Sequence, residues 1–256
     1  MNARALDLGV LFSLLRGLPR KGSHAENLEA FYRPQAAHYD SFRERLLAGR
    51  RELIGHLDLP DGAAVVELGG GTGQNLAFFG KRLARLGSVE IVDLCPALLA
   101  QARRRAADHA NVRVVEADAT TYRPAAPVDC VIFSYALTMM PDWRVAIDNA
   151  LAMLKPGGQL GVVDFYVSAG DSGRGRGATP GSVRHGAFTR HFWPLWFAHD
   201  GVRPTPEHLA CLRMRMPGHC RQEAMAPVPY LPGLRVPYYT FIGRTSGGAG
   251  ARAPAR

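Results

Sequence analysis

The chain has 256 residues, 47% hydrophobic and 21% charged, with a formal net charge of +9. That is the composition of a globular protein with a sizeable core, and it excludes a disordered or fibrous chain. No apolar run approaches the ~20 residues that a membrane-spanning helix needs.

The charge is unevenly placed. Residues 1–164 carry 19 basic and 18 acidic side chains, whereas residues 165–256 carry 12 basic and 4 acidic ones. A basic last third favours an anionic partner. The excess of Arg (28 against 3 Lys) also fits a simple compositional bias. The four cysteines, Cys95, Cys130, Cys211 and Cys220, form no CxxC pair and read as reduced thiols of a cytosolic protein. Together with the nine His they show no zinc-ligand spacing, so no metal is expected.

The N-terminal run Leu8 to Leu15 has Arg4 before it but offers no small-x-small cleavage site after it. Leu11, Leu14, Leu15 and Leu18 share one helical face near Arg16, Arg20 and Lys21. That pattern fits an interfacial amphipathic helix, a lid or an ordinary terminal helix. Residues 26–57 read as helical with a break near Arg33-Pro34, because Leu28, Phe31, Tyr32, Tyr39, Phe42, Leu46, Leu47, Leu53, Ile54 and Leu57 recur at helical spacing. After the turn Leu59-Pro60-Asp61-Gly62, the predicted elements alternate: strands at 63–68, 89–93, 112–116, 128–133 and 159–165, helices at 75–86, 96–108 and 142–154. Apolar strands separated by helices imply a doubly wound, mostly parallel sheet with helices on both faces. Residues 168–182 read as a loop, 186–220 as partly helical, 236–244 as a last strand and 245–256 as a disordered tail. The organisation expected is an N-terminal helical extension over 1–58, one α/β domain over 59–244 with a segment at 168–235 facing the acceptor or a membrane, and the tail.

A glycine loop follows the first strand, in Glu67-Leu68-Gly69-Gly70-Gly71-Thr72-Gly73. There the backbone can approach a ligand, and the next helix offers free N–H groups to negative charge. A dinucleotide site wants GxGxxG, but here the third glycine is replaced by Gln74. The order Glu67-x-Gly69-x-Gly71-x-Gly73 resembles motif I of the class I S-adenosylmethionine methyltransferases. Asp93 closes the second strand 20 residues after Gly73, where a carboxylate can accept two ribose hydroxyls. Asp118 and Ala119 follow the third strand, Ser134 and Tyr135 the fourth, and Lys155-Pro156-Gly157-Gly158 precedes the fifth.

That resemblance, over residues 60–165, implies a Rossmann-like seven-stranded fold and S-adenosylmethionine as cofactor. It places Glu67, Gly69, Gly71, Gly73, Asn75, Asp93, Leu94, Asp118, Ala119, Ser134 and Tyr135 at the cofactor, Glu67 as a network residue behind the loop. Base-modifying amino methyltransferases carry an Asn/Asp-Pro-Pro-Tyr/Phe block where this chain has Ser134-Tyr135-Ala136-Leu137, so no nucleic-acid partner is expected.

Three further segments, 39–50, 192–202 and 229–239, resemble the bacterial N-methyltransferases of betaine-lipid synthesis. The resemblance implies trimethylation of diacylglycerylhomoserine, a cytoplasmic enzyme peripheral at the inner face of an anionic membrane. A growing ammonium is held by aromatic faces, for which Tyr135, Trp193, Trp196, Tyr238 and Tyr239 are candidates. Arg43, Arg50 or Arg235 would meet the homoserine carboxylate. Tyr39 and Tyr135 are candidates at the reacting centre, and His191, His199 or Asp164 for proton removal. Helical spacing makes Trp193, Trp196 and Phe197 more often core than cage. The alternatives are a methyltransferase for phosphatidylethanolamine or a soluble amine, a nicotinamide-dependent oxidoreductase, and a non-catalytic cofactor-binding subunit. Oligomeric state is not legible.

Overall fold

The computed structural model describes residues 22–33, 46–169, 183–198, 200–229, 231 and 233–246. The expectations for the N-terminal amphipathic run, most of the 168–182 loop and most of the tail lie outside these residues.

Two helices come first, α1 (His24–Tyr32) and α2 (Arg50–His56). Helix α1 opens on a capping box: Ser23 Oγ accepts from Glu26 N, and the Glu26 carboxylate accepts from Ser23 N. There follow β1 (Ala64–Leu68), α3 (Leu76–Phe79) running into a 3-10 segment (Gly80–Arg85), β2 (Ser88–Asp93), α4 (Pro96–Ala106), β3 (Val112–Glu116) and β4 (Val128–Ser134). A 3-10 turn (Leu137–Met139) leads to α5 (Trp143–Met153), β5 (Leu154–Phe165), α6 (Ala187–Ala198), α7 (Glu207–Arg215), β6 (His219–Pro227) and β7 (Arg235–Arg244).

The strands form one seven-stranded sheet in the order β3-β2-β1-β4-β5-β7-β6. The first five are parallel; β7 is antiparallel to β5, and β6 to β7. Side chains alternate across it with period two. Val65, Ile132, Val163 and Phe165 pack on one face against Leu53, Leu76, Leu99 and Trp193. Val66, Val131, Phe133 and Val162 pack on the other against Ile147, Ala150 and Leu212. The mostly parallel sheet with helices on both faces is the expected fold.

Three elements differ from expectation. Strand β5 already begins at Leu154, so the Lys155-Pro156-Gly157-Gly158 run expected before it is part of it. The helix read over 75–86 is one short α-turn and a 3-10 segment, because Gly80 takes φ 54°, ψ −135° and stops the α-helix. Strand β6 was not anticipated. It is the sheet's edge and carries His, Arg, Gln and Glu among its side chains, so its sequence lacks the apolar run of a buried strand.

Candidate functional site

Strand order reverses between β1 and its neighbours β2 and β4, and a crevice opens there at the carboxyl ends of the strands. The chain leaves β1 through the glycine loop, which is pinned to β2: Gly69 N and Gly70 N both donate to Val92 O, at 2.8 and 3.1 Å. Gly71 has φ +53°, and a Cβ there would meet only Leu98, at 3.7 Å. Its backbone therefore lies open to the cleft, in a conformation that L side chains disfavour. Gly71 N donates to Asp93 Oδ2 at 2.8 Å, and Cys95 N to Asp93 Oδ1 at 2.9 Å. Burial nevertheless pushes the Asp93 carboxyl above its ordinary range.

Glu67 sits under the loop, 3% exposed. Asn75 Nδ2 donates to its Oε1 at 2.6 Å. Burial raises its pKa to about 7, while the Asn75 hydrogen bond and the Arg50 charge pull it back down. Asp118 stands on the rim, its Oδ1 accepting from Thr120 N and Oγ1, both at 2.7 Å. Ala119 is buried behind it, its carbonyl held by Asn149 Nδ2 at 2.8 Å.

At the end of β4, Tyr135 has φ +55°, the one positive φ of a non-glycine among the described residues. That conformation costs about 1–2 kcal/mol and is held at both ends. Tyr135 N donates to Val163 O at 2.7 Å, and Tyr135 Oη to Ala48 O at 2.6 Å. Its ring rests on Phe165, centroids 4.5 Å apart. Asp164 holds the turn that follows, accepting from Thr138 N (3.1 Å), Thr138 Oγ1 (2.7 Å) and Phe165 N (2.8 Å). Asp164 is fully buried behind this turn, so its candidacy as a base is corrected to an anchor for the segment that presents Tyr135.

Helix α1 covers the cleft, with His24, Leu28 and Tyr32 on the lining. Glu29 fixes it by accepting from Ala97 N (2.9 Å) and Cys95 Sγ (3.3 Å) at the start of α4, where a carboxylate complements the helix dipole. Leu28, Phe31, Tyr32, Cys95 and Leu98 form a small separate core beneath. Burial holds the His24 imidazole below its ordinary pKa.

The cleft brings together Glu67, Gly69, Gly71, Asn75, Asp93, Leu94, Asp118, Ala119, Ser134, Tyr135 and Arg50. Gly73 is not on the wall: a Cβ there would meet Ile91 at 2.9 Å and Ala102 at 3.3 Å, so it serves the packing of the loop on α4. Trp193 is 1% exposed, and its Nε1 donates to Arg235 O at 3.2 Å. Tyr239 is fully buried on the opposite face, edge-on to Tyr166. Both are core, which corrects their assignment to the acceptor. Trp196 and His191 lie on the outer side of α6, the latter with Nδ1 on Ala187 O at 2.8 Å. The Arg235 guanidinium donates to Met225 O at 2.6 Å, on the surface. Tyr238 packs over Gly49, one residue before Arg50, without reaching the cleft wall. Tyr39, Arg43 and His199 lie outside the described residues.

Sequence reasoning missed His24, Leu28, Tyr32, Leu47, Met139 and Met140, all on the lining. The Leu28–Phe31–Tyr32 stripe was a legible signal for a buried helix face, but not for what it covers.

The residues fit the cofactor that the motif resemblance implies. Asn75 Oδ1 is buried with no hydrogen-bond partner, an acceptor for an ammonium. Gly71 leaves backbone bare for close approach. Asp93 ends β2 with acceptor capacity beyond its backbone donors. Asn75 and Glu67 would hold the amino-acid end, Asp93 the ribose, and Asp118 and Ala119 the base.

A methyltransferase-domain family model matches residues 65–158. The ubiquinone/menaquinone biosynthesis C-methyltransferase UbiE of Pseudomonas entomophila is 30% identical over 173 residues, 57% of this chain and 68% of that protein. The 2-phytyl-1,4-naphtoquinone methyltransferase of Thermosynechococcus vestitus is 29% identical over 146 residues, 54% of this chain and 64% of that one. The chain thus spans about two thirds of these relatives. Among solved structures, the Burkholderia thailandensis 1,6-didemethyltoxoflavin-N1-methyltransferase with bound S-adenosylhomocysteine shares the fold (TM-score 0.55, 20% identity, 96% of this chain and 92% of that one).

Proposed function

Since the chain belongs to the class I S-adenosylmethionine-dependent methyltransferases, we propose that it methylates an amine carried on a lipid headgroup, diacylglycerylhomoserine first among the candidates. The observation that carries this reading is that Arg50 and Tyr135 both line the cleft, together with the apolar Leu28, Tyr32, Leu47, Met139 and Met140. A guanidinium and an aromatic ring in one cleft suit a headgroup that bears both a carboxylate and an ammonium. The apolar wall suits the glyceryl and acyl portion.

The bound cofactor supplies an electrophilic methyl group on a sulfonium. The chain's own contribution is positioning and exclusion of water. Tyr135 is locked by its bonds to Val163 and Ala48, so its ring is presented without reorganisation. The same bond to Ala48 ties the Tyr135 turn to the segment that carries Arg50. The apolar wall disfavours a charged amine, which favours the free base that each transfer consumes.

A second reading is favoured by the relatives' names: C-methylation of a quinol ring. It uses the same apolar wall and needs no aromatic cage. Incubation with radiolabelled methyl donor and, separately, diacylglycerylhomoserine, phosphatidylethanolamine, a demethylated menaquinol and soluble primary amines tests both. Label in trimethylhomoserine lipid is the expected result. Label confined to the quinol establishes the second reading, and label in water-soluble products alone overturns both.

A further inference from the structure

Helix α6 carries more apolar surface than the protein covers. Trp193 and Phe197 face inward, stacked on one another and on Phe165. Phe188, Phe192 and Trp196, each four residues apart, form a second stripe beside them, their rings stacked at 4.9 and 5.7 Å. Phe188 is 62% exposed, Trp196 39% and Leu195 79%. Six large hydrophobic side chains are exposed among the described residues, and four of them (Val183, Phe188, Leu195 and Trp196) fall between 183 and 196. A surface helix ordinarily has one apolar stripe facing the core; here the apolar arc continues around onto the solvent side.

Charge states what would cover it. The segment 183–198 holds Arg184, Arg190, His185 and His191 and no Asp or Glu. The last third of the chain has 12 basic against 4 acidic residues. An aromatic and aliphatic stripe on a helix free of acid, in a basic part of the chain, matches the boundary between anionic headgroups and acyl chains. Among the described residues no helix is long and apolar enough to cross a membrane, so contact there would lie in the surface plane.

We infer that α6 is a membrane-docking helix, which seats Phe188, Leu195 and Trp196 in the headgroup layer of an anionic phospholipid bilayer. Its inward face connects this surface to the cleft through three ring contacts: Trp193 to Phe197 (5.5 Å), Phe197 to Phe165 (4.8 Å) and Phe165 to Tyr135 (4.5 Å). Docking on α6 therefore brings the Tyr135 wall to within a few rings of the lipid surface. The inference rests on the proposal of a lipid-borne acceptor, because a docked α6 would hold the cleft near the surface that carries it.

Flotation of the full chain with phosphatidylglycerol/phosphatidylcholine vesicles, against phosphatidylcholine alone, tests it. The wild type is expected to float with the anionic vesicles and to be released by salt. The double variant L195S/W196S should bind at least about tenfold more weakly, because two apolar anchors are lost, while V145S/M214S binds as wild type. Binding of S-adenosylhomocysteine should be unchanged in both variants, which certifies their folding. Brominated lipids should quench the wild type, and quench W196F less, because Trp143 and Trp193 are buried. Failure of the wild type to float, or equal flotation of L195S/W196S, overturns the inference. So does a dimer in sedimentation velocity that L195S/W196S dissociates, since the stripe would then face a second copy. These outcomes are separable from the acceptor: a chain that floats through α6 yet labels only soluble amines leaves docking intact and sinks the lipid acceptor alone.

Discussion

Glu67→Gln should stabilise the protein at neutral and alkaline pH. Glu67 is 3% exposed and its carboxyl is raised from an ordinary 4.5 to about 7, chiefly by burial. Below pH 4.5 it is protonated in both the folded and the unfolded chain, and contributes nothing to pH dependence. Between 4.5 and about 7 the unfolded chain gives up the proton while the folded one keeps it, so stability falls as pH rises. Above about 7 the full penalty applies. At about 1.4 kcal/mol per decade of proton affinity, the interval is worth about 3 kcal/mol. For a chain of this size that is about 6–12 °C in Tm. A neutral Gln avoids the penalty, can accept from Asn75 Nδ2, and finds the unpartnered Asn75 Oδ1 nearby for its own amide. Thermal melts of wild type and E67Q from pH 5 to 9 measure the difference, in which the other titrating groups largely cancel. The gap should open between pH 4.5 and 7 and then level off. A gap that is flat with pH, or an E67Q protein less stable at pH 8, refutes the reasoning. The same substitution should weaken cofactor binding, the usual exchange of stability for a charged, buried site.

Three other substitutions follow from the geometry. Gly71→Ala imposes φ +53° on an L residue at a place with room for the methyl group, so folding should survive while S-adenosylhomocysteine affinity falls about tenfold by calorimetry; an unchanged affinity would mean the loop backbone is not at the ligand. Tyr135→Phe removes the bond to Ala48 O and should lower kcat about fivefold with cofactor affinity nearly intact; a loss confined to cofactor binding would move Tyr135 away from the acceptor. Trp193→Ala should cost about 3–5 kcal/mol in urea unfolding, because the indole is core; full stability with a raised acceptor KM would restore its original assignment to the acceptor.

The parallel half of the sheet was legible because its strands are buried on both faces and read as short apolar runs between helix signals. The cofactor cleft was legible because its residues hang from strand ends in fixed order: the glycine loop after β1, Asp93 after β2, Asp118 after β3 and Tyr135 after β4. The acceptor side was not. Trp193 and Trp196 stand three residues apart on one helix, and periodicity alone cannot say which of them meets the sheet and which meets solvent. The cover formed by α1 was also hidden, since the contact of Glu29 with the start of α4 joins residues 68 apart in sequence. In the sequence Asp164 is one of three candidate bases, beside His191 and His199. Only the donors around it, Thr138 and Phe165, show that its oxygens are taken up inside the fold, away from the cleft lining.

The most direct test of the cleft as a methyl-donor site is a calorimetric titration of wild type and Asp93→Asn with S-adenosylhomocysteine and, separately, with NAD. Asp93 is the acceptor to which both Gly71 N and the ribose would be tied, so its neutral amide should lose about 2–3 kcal/mol of charge-assisted hydrogen bonding. The expected result is single-site binding of S-adenosylhomocysteine by the wild type, weakened about 30- to 100-fold in D93N, and no binding of NAD. Tight NAD binding without S-adenosylhomocysteine binding, or a D93N protein that binds S-adenosylhomocysteine as well as the wild type, would contradict the site described here.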